Sequence, residues 1–124
     1  MLAVILQSWA WLLYLDILMV FRSFATVRAV VQNQRTFAIK PAIRNRETIC
    51  RAVDFACVFY FKHVLCLQRS AVTVVLLRRR GFEAELVIGA QLLPFQSHAW
   101  VEIQGEVVND KPYINTVFQV LDRC

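Results

Sequence analysis

Apolar residues run almost unbroken through positions 1–21, MLAVILQSWAWLLYLDILMVF, with Gln7, Ser8 and Asp16 as the polar interruptions. On a helix these three project in different directions and leave no polar stripe, so the segment is apolar nearly all round. Such a helix lies in lipid or packs deeply in protein. About 20 residues suffice to cross a bilayer, and a central carboxylate costs roughly 2.5–3.5 kcal/mol, which the surrounding Leu, Ile and Val offset. A signal peptide is excluded, because no Lys or Arg precedes the apolar run and no small-x-small site follows it. The pattern favours a packed helix that brushes a membrane over a true span. A span would leave residues 22–124 in the cytoplasm, since Arg22, Arg28, Arg35 and Lys40 all lie on its C-terminal side.

Beyond position 21 the pattern shortens. Helix continues over 22–34 after a bend near Ser23, and the polar stretch 33–46, containing Pro41, reads as a loop between two subdomains. A second amphipathic helix covers 46–61, with Ile49, Val53, Ala56 and Tyr60 on one face and Arg51 and Asp54 elsewhere. After a break at 63–65 a third helix runs over 66–80; Arg78, Arg79 and Arg80 complement its C-terminal dipole and Gly81 supplies a left-handed cap. Period-two alternation then takes over. Residues 82–88 form a strand, 89–96 with Pro94 a loop, 97–103 a second strand, Gln104 and Gly105 a turn, and 106–110 a third strand. Helices first and antiparallel strands second make an α+β layout. The expected division is an apolar helical segment, 1–45, packed on or near a core formed by 46–124, compact as a whole.

Composition narrows the class. Apolar residues make up 58% of 124 positions, above the usual 45–50%, which excludes a disordered chain. Three Gly and three Pro argue against a turn-dense sandwich or repeat array. Four scattered cysteines, Cys50, Cys57, Cys66 and Cys124, are too few for a disulfide framework. They read as reduced thiols in a cytoplasmic protein. The net charge of +5 is uneven: residues 22–80 hold twelve Lys and Arg against Glu47 and Asp54. A basic middle suits nucleic acid, lipid or an acidic peptide, but solvated faces of cationic helices are the favoured explanation.

Two residues stand where chemistry is possible. Cys66 falls at the first turn of a helix, where unpaired N–H groups and the dipole favour a thiolate. His98 sits on a strand as a potential base. Cys57, His63 and Cys66 match none of the usual zinc-ligand spacings. A third group should orient the imidazole, and register decides which. A two-residue turn at Gln104 and Gly105 pairs Trp100 with Asn109 and puts Asn109 on the His98 face; a three-residue loop pairs Trp100 with Asp110, which then lies diagonally beside His98. The pattern alone leaves Asn109 and Asp110 level.

The ordered set Cys66-Leu67-Gln68-Arg69-Ser70, Leu76-Leu77-Arg78-Arg79-Arg80-Gly81-Phe82 and Ser97-His98-Ala99-Trp100-Val101-Glu102 resembles the leader peptidases of lasso peptide biosynthesis, transglutaminase-like cysteine proteases. The likeness is close over residues 48–112 and looser over the apolar N-terminus. Phe61 and His63 depart from it, standing where Pro or Trp is common ahead of the nucleophile. The resemblance implies a transglutaminase-like, papain-like fold and a catalytic set of Cys66 as nucleophile, His98 as base and Asp110 as its acid, which in turn favours the three-residue loop. It implies no cofactor and no metal. The family's winged-helix leader-binding unit has no counterpart here, so a separate leader-recognition protein is implied, along with a lasso precursor peptide as substrate and an ATP-dependent cyclase that takes the product. The expected activity is cleavage of leader from core, freeing the core amine for macrocyclisation. Nucleic acid is not an expected partner, while a peripheral membrane contact through residues 1–21 stays open. A transglutaminase-like acyltransferase and a non-catalytic membrane adaptor are the alternatives.

Overall fold

The computed structural model describes residues 2–40, 42–61, 64–92 and 94–124. Three helices, α1 (Leu2–Phe21), α2 (Phe24–Asn33) and α3 (Ile43–Val58), surround a fourth, α4 (Cys66–Arg79). Strands β1 (Ala84–Leu92), β2 (Phe95–Ile103), β3 (Glu106–Val107) and β4 (Gln119–Arg123) follow, with the single turn α5 (Ile114–Val117) before the last. All strand pairs are antiparallel and the sheet order is β3-β2-β1-β4. This is the α+β arrangement the pattern predicts.

The α4 helix sits between the sheet and the other helices, which is why residues 70–78 are buried without interruption. Ala84 and Leu86 of β1 and Ala99, Val101 and Ile103 of β2 meet its apolar surface from below. Val27 and Val31 of α2, Ile49, Val53 and Ala56 of α3, and Leu12 and Leu15 of α1 complete the core. Each fully buried Val or Leu contributes about 1.5–3 kcal/mol. The C-terminus of α4 closes as predicted: Gly81 has φ 88°, its N–H reaches the Arg78 carbonyl and the Phe82 N–H reaches that of Leu77. Those two bonds define a Schellman cap.

Several expectations change. Arg78 does not serve its own helix dipole. Its buried guanidinium donates to the carbonyls of Ala84, Val31 and Gln34, closing the end of α2 and tying it to β1. Arg79 lies 5.4 Å over the Trp11 ring, so two of the three arginines are engaged within the fold. Of the expected loop 89–96, residues 89–92 and 95–96 are strand and Pro94 is a turn, while Leu93 lies outside the described residues. The β1 strand runs through Gly89 to Leu92 and pairs Leu92 with Phe95. Gly89 marks a close approach instead: a Cβ there would stand 2.7 Å from the Trp100 ring and 2.9 Å from the Gln119 carbonyl oxygen. The third strand stops at Val107. Cys124 exchanges both backbone bonds with Leu86.

The α1 helix is long and apolar enough to cross a membrane. It packs against α2, α3 and α4 through Val4, Ser8, Leu12, Leu15 and Asp16, while Leu2, Leu6, Ile17, Val20 and Phe21 remain exposed. Pro41 and His63, assigned above to a loop and a helix break, lie outside the described residues.

Candidate active site

Cys66 is the first residue of α4. Leu65 ahead of it is extended, with φ −74° and ψ 153°, and offers no side-chain acceptor to the free N–H groups of the first turn. Gln68, at the third helical position, caps in the reverse direction by accepting the Leu65 N–H on Oε1 at 3.2 Å. Cys66 and His98 line one largely apolar cavity of about 170 Å³, walled by Phe24, Leu67, Ile88 and Ala99. The other three thiols are placed differently. Burial pushes Cys50 and Cys57 up to about 11, and burial also raises Cys124, so each stays a thiol at neutral pH.

The His98 Nε2 atom lies 2.6 Å from Asp110 Oδ2, and both side chains are mostly buried, at 24% and 17% exposure. Burial alone would raise the Asp110 carboxyl. The His98 hydrogen bond, the Lys111 N–H at 2.8 Å and the charges of His98 and Arg69 outweigh it and hold Asp110 below the usual carboxylate range. With Nε2 engaged, Nδ1 is the ring nitrogen left for the thiol. The imidazole also stacks on Phe118, 5.4 Å between centroids, and at 6.1 Å on Trp100 two residues along β2. Offset ring pairs of this kind contribute about 0.5–1.5 kcal/mol beyond area burial.

The register expectation is corrected in an instructive way. Ile103 pairs with Glu106 and Glu102 with Val107, which is the two-residue turn. Positive φ at Gln104 (51°) and Gly105 (81°) fits the primed turn type that hairpins prefer. Strict alternation would then present Asn109 to His98. The last ladder bond is that of the Val108 N–H to the Val101 carbonyl, however, and the chain bends at Asn109 and Asp110, so parity no longer governs where these side chains go. Asn109 becomes a joint between β2 and α4: Oδ1 accepts the Val101 N–H at 2.8 Å and Nδ2 donates to Ser70 Oγ at 3.0 Å, while Ser70 donates to the Ala99 carbonyl. Its own carbonyl accepts from Arg69. Asp110, one residue further, reaches His98.

Sequence reasoning missed Phe118, Ser70 and Arg69 as neighbours of the site. No local signal marks Phe118, which arrives on the chain leading into β4. Gln68 at the third position of a helix carries a recognisable capping signal, though an N-cap leucine disguises it.

A cysteine opens the buried helix α4, and on the adjoining antiparallel sheet His98 is bonded to Asp110 from the bend that follows β3. Residues 9–123 match the family described as the transglutaminase-like superfamily, and the chain belongs to it. A 56-residue stretch, 45% of the chain, is 41% identical to the microcin J25-processing protein McjB of Escherichia coli, of which it spans 27%. No solved structure matches.

Proposed function

We propose that the protein is a cysteine peptidase that removes the leader from a lasso precursor peptide. The observation that carries this reading is the meeting of Cys66, at the start of α4, and Asp110-bound His98 at one cavity. Similarity to a microcin J25-processing protein supplies the substrate class.

Acyl chemistry assigns the roles. His98 Nδ1 takes the Cys66 proton, and the thiolate sulfur attacks the carbonyl at the leader–core junction. The oxyanion is met by the Cys66 backbone N–H, which no intrahelical carbonyl uses. Collapse breaks the C–N bond, and His98 gives its proton to the departing amine, the new N-terminus of the core. Water then attacks the thioester with His98 as base, releasing the leader carboxylate and the thiol. Asp110 holds the ring and stabilises its charged form throughout. Partners implied by this reading are the precursor, a leader-recognition protein and an ATP-dependent cyclase.

The test is mass spectrometry of a lasso precursor incubated with its leader-recognition protein and either wild type or Cys66→Ala. One cut releasing an intact core, lost in the variant, is expected. Equal cleavage by both removes Cys66 from the chemistry, and a product that has lost ammonia rather than gained water makes the protein an acyltransferase.

A further inference from the structure

The carboxylate that interrupts α1 has a role in the site. Asp16 is buried at 7% exposure, and a carboxylate so placed costs several kcal/mol unless donors surround it. Gln68 Nε2 donates to its Oδ1 at 3.0 Å and the Tyr60 hydroxyl to its Oδ2 at 3.4 Å. Burial, then the charge of Asp16 and the hydrogen bond to it, push Tyr60 up to about 12, so the phenol remains a donor at any working pH. Gln68 is itself 4% exposed. A side-chain amide has a donor end and an acceptor end, and an ionised carboxylate only accepts. Asp16 therefore fixes which way the Gln68 amide faces and leaves Oε1 to receive the Leu65 N–H, one residue ahead of Cys66.

We infer that Asp16 and Gln68 are positioning residues for the nucleophile. Through them α1 sets the first turn of α4, and with it the direction in which the Cys66 sulfur leaves the helix toward His98. The helix that looks like a membrane span is thereby joined to the nucleophile's own helix. Neither residue touches substrate. The inference rests on the peptidase reading for its meaning, but a measurement that needs no precursor tests it.

The experiment compares Gln68→Glu, Asp16→Asn and the double variant Asp16→Asn/Gln68→Glu. Gln68→Glu keeps an acceptor for the Leu65 N–H but sets two carboxylates face to face; the double variant moves the amide donor to α1 and restores a bond with its polarity reversed. Cys66 alkylation by iodoacetamide, mapped by mass spectrometry, is measured beside kcat, KM and melting temperature. Each single variant should lower the alkylation rate and kcat about tenfold, equivalent to about 1.4 kcal/mol in barrier, with KM unchanged, and the double variant should recover most of both. Gln68→Ala replaces Gln68→Glu where the latter does not fold. Wild-type alkylation rates in folded single variants overturn the inference, as does a loss that follows melting temperature with no recovery in the double. If alkylation follows the expected pattern while no variant, wild type included, cleaves precursor, the peptidase reading falls and the positioning role stands.

Discussion

The two edges of the sheet grip the same imidazole by different means. At the β3 edge the strand is only two residues long, and its early end frees Asn109 and Asp110 to bond sideways, one to α4 and one to His98. At the other edge β4 reaches past β1, and the chain leading into it lays Phe118 on the ring while Arg123 meets the buried Glu102, which also accepts from the Trp100 indole. The first edge acts through a directed charge-assisted bond, the second through ring packing and a supported floor. Electrostatic orientation is specific to the reacting group, whereas packing is shared with the whole sheet. Damage at the β3 edge should therefore appear in chemistry, and damage at the β4 edge in stability.

The sharpest way to break this contrast lies within β3's own continuation. Asp110→Ala should cut kcat by roughly 10⁴, the cost of losing the orienting acid in comparable triads, with only a small change in melting temperature. Its neighbour should behave oppositely. Asn109→Ala leaves the Val101 N–H without its acceptor and costs about 1–3 kcal/mol in stability, while kcat in the folded fraction changes much less. Precursor cleavage kinetics beside thermal melts of both variants decide the point. A large kcat loss in Asn109→Ala with Asp110→Ala near wild type would reverse the assignment.

The same contrast separates what is legible in the sequence from what is not. The α4 helix can be read from its apolar run and from Gly81, because caps and periodicity are local and the Schellman geometry follows from one residue. The β2 alternation is equally plain. Elements fail where a distant partner decides them. Gly89 and Pro94 read as loop punctuation, yet Gly89 is small because the Trp100 ring and the Gln119 carbonyl crowd it from two other strands. The β4 strand, five residues ending at Arg123, pairs with the first strand rather than its sequence neighbour. Asp16 reads as a cost within an apolar helix because its partner Gln68 lies 52 residues away. At the candidate site, local position marks Cys66 and His98 only as places where chemistry is possible, and the resemblance assigns their roles and adds Asp110. The parity argument does not choose between Asn109 and Asp110, because it holds only inside a ladder and the ladder's last bond is at Val108.

A middle-sized effect is expected at the far edge. In Gly89→Ala the new methyl meets the Trp100 ring and backbone of β4, and backbone cannot yield as a flexible side chain can. Overpacking of this kind costs about 1–3 kcal/mol, equivalent to several degrees of melting temperature for a domain of this size. Both Trp100 and the chain before β4 support His98, so kcat should fall as well, but by about tenfold or less. A kcat loss as deep as that of Asp110→Ala, with melting unchanged, would show that the β4 edge is chemical rather than structural.

The smallest expected effect compares one acid from each edge. Asp110 and Asp122 are both held below the usual carboxylate range: Asp110 by the balance described above, Asp122 first by the hydrogen bond from Arg28, which with the Arg28 charge and the Arg123 N–H outweighs burial. A carboxyl depressed in the folded state adds stability that is fully present above its unfolded value, near 4, and is lost as pH falls through the lower folded value. Melting temperature should accordingly decline from about pH 5 downward. Salt should distinguish the two contributions. The Arg28–Asp122 pair is about one-third exposed on each side, so added salt screens it, whereas the His98–Asp110 pair is better shielded. In Asp122→Asn the acid decline should be shallower at low salt and nearly indistinguishable from wild type at high salt. In Asp110→Asn it should be shallower at both. Melts from pH 7 to pH 3 at two salt concentrations make the comparison, and an Asp110→Asn profile that merges with wild type at high salt would place that pair in solvent after all.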